Sequence, residues 1–332
     1  MVILRWEVKI LSGFAIWFEG ENINTKCTYD YDVHINLWTN FKSPILDIGI
    51  KTKYKPQLKN IKIFIPFEFS NKYKIEDLGS TILKTKNILD AVFNESYSMI
   101  SENIPKQTLV NNENGEIQFI VYELDKNKDI IISKEYYGTV LTINLEDKKS
   151  LVADTEYYFR LRYEDSSLKK LIESRKDYNI LNALLTENNF IDFRLNDWRS
   201  LSDESLVEHI QDYKINEYCL SKVNFFVMAL GQLDIISRTK KSERKLENNT
   251  WNEYIDIDDK NVIIAHQWQI KKEIKEKNGQ TEIKYPVSFN AYFKLKKQWI
   301  NFKTIIGYFI IILIMNIISS FIFQGILNCF GR

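Results

Sequence analysis

From Thr304 to Gly331 the chain runs for 28 residues without a charged side chain. As a helix, Ile305–Leu327 is about 34 Å long at roughly 1.5 Å per residue. The hydrocarbon core of a bilayer is about 30 Å thick. A soluble helix of this length keeps a charged face toward water, and this one has none. A transmembrane helix over 304–328 is therefore expected, which fixes one end of the chain in lipid.

The flanks set an orientation. Lys294, Lys296, Lys297 and Lys303 precede the span, with Trp299 suited to the water–lipid boundary, and only Arg332 follows. Positive charge stays on the cytoplasmic side. Lys294, Lys296, Lys297, Trp299 and Lys303 are thus candidate membrane-interface anchors, and the body is expected in the cytoplasm of a tail-anchored, single-pass protein, in a bacterial inner membrane. At the other end Ile10–Phe18 is short, lacks a small-residue cleavage site and runs into Glu19 and Glu21. That makes a poor signal peptide; a hairpin pairing Trp6–Leu11 with Phe14–Phe18 around Ser12-Gly13 suits it better. Cys27, Cys219 and Cys329 form no CxxC pair and no dense framework, as expected of reduced cytosolic thiols.

Charge narrows the partners. The chain carries 45 Lys+Arg against 44 Asp+Glu, and Arg332 is the only charge after Lys303. The body is therefore balanced, which excludes a bulk polyelectrolyte partner and disfavours nucleic acid. A mean hydropathy of −0.28 averages a neutral body with an uncharged anchor.

The first 165 residues read as mostly β. Strands are expected at Arg5–Leu11, Phe14–Phe18, Asp30–Trp38, Ile45–Lys51, Ile61–Phe69, Glu116–Leu124, Asp129–Ser133, Gly138–Leu145 and Tyr157–Tyr163, from aromatic and β-branched runs between turn residues. One helix is expected over Ile75–Phe93. The region suits a sandwich or a barrel, and periodicity does not choose between them.

From Ser166 the pattern turns helical through Leu168, Leu171, Ile172, Leu181, Leu184 and Leu185. A further helix starts at Ser202-Asp203-Glu204, carrying Leu206, Val207 and Ile210. Lys222–Leu230 is apolar enough for a buried strand or a short helix. Asn261–Ile270 and Glu282–Phe293 alternate on either side of Asn278-Gly279, a type I′ turn pair, so a hairpin is expected. It leads through about ten residues into the span. The fold class is α+β with a β-rich body: a β-rich domain over 1–165 and an α+β region over 166–300, which also suit one packed unit, then the membrane helix.

Motifs for catalysis are missing. His34, His209 and His266 are not spaced for zinc, and no GxxxxGK[ST], GxGxxG or GxSxG occurs. Glu253, Asp256, Asp258 and Asp259 form a compact acidic group that suits a solvated turn or a hard cation, without the spacing of a calcium loop. No cofactor or metal is expected, although carboxylates gathered by folding leave no local motif.

Two basic segments have two readings each. Lys51, Lys53 and Lys55 alternate along one strand face; Arg238, Lys240, Lys241, Arg244 and Lys245 carry five positive charges against Glu243. They suit phosphates of a nucleotide or nucleic acid or the anionic inner leaflet, or else guard a sheet edge and line a solvated loop.

Within the span, Asn316, Ser320, Gln324 and Asn328 recur every four residues and form one slowly drifting stripe. Polar side chains in lipid find partners on other helices, worth about 0.6–2 kcal/mol each. Tolerance of polar residues, self-association and a water-lined oligomeric pore all suit the stripe. In topology the chain resembles the tail-anchored membrane effectors of bacterial anti-phage and stress responses, whose cytoplasmic domain senses a signal and whose clustered helices disturb the bilayer. That resemblance implies a non-enzymatic sensing or interaction protein, binding a cytosolic protein or nucleotide and forming a homo-oligomer in the lipid bilayer. A passive tether for a soluble partner and a membrane-localised metal-dependent hydrolase or nuclease are the alternatives.

Overall fold

The computed structural model describes residues 13–21, 27–39, 41–100, 105–146, 150–176, 186–201, 204–213, 217–237, 239–257, 261–277, 280–298 and 302–330. The body is strand-rich, and its long apolar runs pair into one large sheet. In spatial order this holds β16 (Ser242–Lys245), β17 (Ile263–Lys271), β14 (Tyr218–Leu230), β2 (Tyr29–Trp38), β3 (Ile45–Lys53), β11 (Glu156–Glu164), β8 (Ile117–Tyr122), β7 (Gln107–Asn111) and β6 (Ser98–Ile100), with β5 (Lys74–Asp77) paired to β11. A second sheet runs β1 (Ala15–Gly20), β4 (Leu58–Ile65), β10 (Gly138–Asn144) and β9 (Ile130–Glu135). A third runs β12 (Ile172–Lys176), β13 (Thr186–Leu195), β20 (Phe289–Gln298) and β15 (Leu233–Ile236).

The two parts of the large sheet are joined by a parallel pair, β2 against β14, which runs from Tyr29↔Tyr218 to Trp38↔Met228 with one register shift between Leu220 and Lys222. Parallel neighbours need a long crossover, and here it spans most of the body. Strands from both sides of residue 165 thus share one sheet. Both faces of β14 are buried, which explains its near-continuous apolar sequence. Val223, Phe225 and Val227 enter a core shared by all three sheets. There Phe193 stacks between Phe14 and Phe225, with ring centroids 4.7 and 4.6 Å away. On the opposite face Met228 joins Trp38, Trp251, Tyr254 and the helix Lys86–Phe93 in a second core.

Charged side chains are buried inside that second layer. Asp47, fully buried, accepts from Arg162 Nε at 2.7 Å and Nη2 at 3.1 Å, from Trp38 Nε1 at 2.9 Å and from Tyr254 Oη at 2.7 Å. Arg160 Nε donates to Tyr254 Oη at 2.8 Å and Nη1 to Tyr158 Oη at 2.7 Å. Burial pushes the Asp47 carboxyl up, but the two guanidiniums and the bonds from Arg162 and Tyr254 outweigh it and hold it below the usual carboxylate range. This network fastens the Trp251–Tyr254 segment to strands β3 and β11.

Elsewhere the structure departs from the sequence reading. The helix expected over Ile75–Phe93 is divided into β5, a single turn at Gly79–Ile82 and the helix Lys86–Phe93. The last restarts because Thr85 Oγ1 caps it, accepting from the Ile88 N–H at 3.4 Å, and it stops at Asn94 in the left-handed region. After Ser166 the chain makes a 3₁₀ helix, Ser166–Leu171, and then β12 rather than a long helix; residues 177–185 lie outside the described residues. The helix Glu204–Tyr213 does form, packing Leu206 and Ile210 on Trp17 and Phe64.

The expected hairpin is shorter than its alternation suggested. Only β18 (Glu273–Lys277) and β19 (Gln280–Lys284) pair with each other. The long flanking strands separate: β17 joins the large sheet, while β20 joins the third. Arg5–Leu11 and Asn278-Gly279 lie outside the described residues. Cys27 and Cys219, expected as separate reduced thiols, are joined by a disulfide at the head of the β2–β14 pair, with Cα atoms 5.8 Å apart.

Breaking a buried ion pair leaves an uncompensated charge and costs about 3–5 kcal/mol. Asp47→Asn should lower unfolding free energy by that amount in urea denaturation of the detergent-solubilised chain. Asp90→Asn, which removes the charge paired with the exposed Lys86 but keeps an oxygen to accept from the Tyr97 N–H at 2.8 Å, should change it by less than about 1 kcal/mol.

Candidate functional site

The C-terminal helix Phe302–Phe330 continues without a break through every apolar residue of the span, and Ile305–Ile326 has a mean hydropathy of 2.5 with none of its 22 residues buried by the body. It is long and apolar enough to cross a bilayer. Ile310, Ile314, Met315, Phe321 and Ile322 all stand exposed. The polar stripe lies along this bare cylinder. Asn316, Ser320 and Gln324 share a shallow groove of about 320 Å³ with Leu313, Ile317 and Phe321. Ser320 Oγ donates to the Asn316 carbonyl at 2.9 Å. The carboxamides of Asn316 and Gln324 make no hydrogen bond among the described residues, and Asn328 is exposed further along the helix.

β20 delivers the chain to this helix and carries the lysine flank on its way. Lys294 Nζ lies 5.6 Å from the centre of the Phe190 ring. Lys296 stands opposite Asn188 and Asp234, and Lys297 opposite Glu187 and Leu233. Trp299 and the side chain of Lys303 lie outside the described residues.

The first basic segment is paired with acids within the body, and part of the second is bonded there. Lys51 faces Asp32 at 3.7 Å and Glu156 at 3.5 Å; Lys53 and Lys55 reach Asp154 at 3.6 and 2.5 Å. The stripe that alternation placed on one face is thus matched by Asp32 on the neighbouring strand and by Asp154 and Glu156, about 100 residues downstream. Lys53, Asp154 and Glu156 also line a cavity of about 500 Å³ floored by Leu109, Phe119 and Ile120. In the second segment Lys240 pairs with Glu243, Lys241 donates to Gln269, and Arg244 donates to Asn94 Oδ1 at 2.9 Å. Lys245 borders another cavity of about 500 Å³, beside Glu247, Asn248 and Asn249. Arg238 lies outside the described residues.

His34 and His266 are both buried. Burial, with Arg160 for His34 and Lys240 for His266, lowers their pKa values, so both rings are neutral at pH 7. His34 Nδ1 sits 3.4 Å from Tyr158 Oη in the layer of the arginine network. Among the described residues no group of three or more His, Cys, Asp and Glu comes together. Asp256 is exposed, and Asp258 and Asp259 lie outside the described residues. The Arg160–Arg162–Asp47 network had one signal in the sequence. Two arginines two apart in Tyr157–Tyr163 share a strand face, on a strand otherwise apolar.

No family model matches the chain, and no curated protein matches it. Among solved structures it is similar to the crystal structure of Legionella pneumophila aminopeptidase A in complex with aspartic acid, at 7% identity and a TM-score of 0.28. The match covers 85% of this chain and 23% of that one, so the chain spans under a quarter of that protein's length. At this TM-score nothing about the chain's chemistry follows from the likeness.

Asp77 supplies a pH-dependent signature. Burial pushes its carboxyl up to about 7 against backbone bonds including that from the Gly79 N–H at 3.1 Å. The folded chain therefore holds a proton that an unfolded aspartate, near about 3.9, has released. Stability from this group is full below about pH 4 and is lost as pH rises through 7. Asp77→Asn should flatten that slope in thermal unfolding between pH 4 and 8.

Proposed function

We propose that the protein is a single-pass, membrane-anchored interaction protein whose β-rich body is held at a bilayer by Ile305–Ile326 and which self-associates through the stripe on that helix. The observation that carries this reading is the helix itself, 22 uncharged and mostly apolar residues with no part covered by the body. In water such a surface is strongly unfavourable, at about 25 cal/mol per Å², and lipid removes that cost. The stripe supports the second half: hydrocarbon offers no hydrogen bond to the carboxamides of Asn316 and Gln324. The body is left to supply the interaction surface: Lys51, Lys53 and Lys55 are paired with acids within it, while Lys241 and Arg244 bond only neutral amides.

Membrane attachment has a direct check. The full chain should remain in the membrane pellet through an alkaline carbonate wash, and the variant Ile311→Arg/Met315→Arg/Ile318→Arg should move to the supernatant. Wild type in the supernatant would overturn the reading. A leucine helix replacing Ile305–Ile326 should keep the chain in the pellet while abolishing self-association.

The lysine flank supports a cytoplasmic body in a bacterial inner membrane; the Cys27–Cys219 disulfide opposes it, because that compartment keeps thiols reduced. The redox state of that pair in cells therefore reports the orientation. A permeant maleimide should label both cysteines without added reductant. Labelling only after reduction would place the body on the oxidising side.

A further inference from the structure

The spacing of the stripe says more than that the helix associates. Four residues advance an α-helix by about 40° beyond a full turn, so Asn316, Ser320 and Gln324 form a seam that winds steadily around the cylinder. A seam of period 3.5 winds left-handed, and periods longer than 3.6 wind right-handed. Two copies that keep a four-residue seam in contact must therefore cross right-handed, at about −40°, and separate on either side of the crossing point. Ser320 is the smallest side chain of the three and lies in the middle. Its hydroxyl is already bonded to the Asn316 carbonyl at 2.9 Å, so it can be pressed against a neighbouring backbone without leaving a polar atom unpaired. Asn316 and Gln324, one turn to either side, border the same groove of about 320 Å³ and make no hydrogen bond among the described residues.

We infer that the C-terminal helix pairs with a second copy of this chain in a right-handed crossing centred on Ser320, with the Asn316 and Gln324 carboxamides bonding across it, and that the pair does not enclose a pore. This rests on the self-association proposed above and specifies its geometry. A lumen needs polar lining across the full hydrocarbon thickness of about 30 Å. From Phe309 to Met315 the span offers only Phe, Ile, Leu and Met, and the stripe that follows drifts about 120° between Asn316 and Asn328. Such a helix lines no continuous water path, whereas a crossing needs only the short contact around Ser320.

Sedimentation equilibrium of the full chain in density-matched detergent tests this, with wild type dimeric. Ser320→Ile should weaken the dimer about fivefold or more, and Asn316→Leu/Gln324→Leu by a similar factor. Ser320→Gly should retain it, and Ile318→Ala and Ile322→Ala on the opposite face should leave it unchanged. A monomeric wild type would overturn the self-association reading and this one together. A wild-type dimer indifferent to Ser320→Ile, or equally weakened by Ile318→Ala, would overturn the crossing alone. A larger oligomer that releases dye from vesicles would replace the crossing with a pore and leave self-association standing.

Discussion

The body depends on one strand pair, Tyr29–Trp38 beside Tyr218–Met228. It joins segments nearly 190 residues apart in the chain and makes one sheet from β16 to β6. Loop closure over such a distance is an entropic cost that grows slowly with length, and burial on both faces of the sheet offsets it. One face meets the other two sheets through Phe193 and Phe225; the other meets Trp38, Trp251 and Tyr254. The Asp47–Arg162 pair sits inside that second layer, where its bonds determine how the Trp251–Tyr254 segment lies on the strands. The disulfide at the head of the same pair adds a covalent link where the two halves of the chain meet.

The C-terminal helix stands outside this arrangement. The body buries none of its span, so its apolar surface is left to whatever solvent surrounds it. The third sheet connects the two parts: β20 is held between β13 and β15, with Ala291, Phe293 and Leu295 in the core, and the helix begins four residues after its last residue. On the proposed reading, pairing of two spans brings two bodies together without requiring either to unfold.

How much of this was legible depended on whether a pattern was local. The span and its stripe were visible because helix periodicity needs only neighbouring residues. Strands such as Tyr29–Trp38, Ile45–Lys53 and Gly138–Asn144 were visible for the same reason. The hairpin expected around Asn278-Gly279 was overextended, because alternation in Ile263–Lys271 and Phe289–Gln298 identifies strands but not their partners. β7, β12 and β13 are short or polar and gave no clear period. The lysines at 51, 53 and 55 looked like a ligand-facing stripe because their partners, Asp32, Asp154 and Glu156, all lie outside the segment, two of them about 100 residues away. Pairings of that kind are products of topology, and sequence spacing carries no trace of them.

Membrane attachment and self-association both depend on where the residues from Ile305 to Ile326 reside. Apolar carbene photolabelling of the full chain in lipid vesicles, mapped by mass spectrometry, addresses that directly. Label concentrated between Ile305 and Ile326 and sparse across the sheets is the predicted result. A span left unlabelled while the body's exposed apolar residues react would contradict the account.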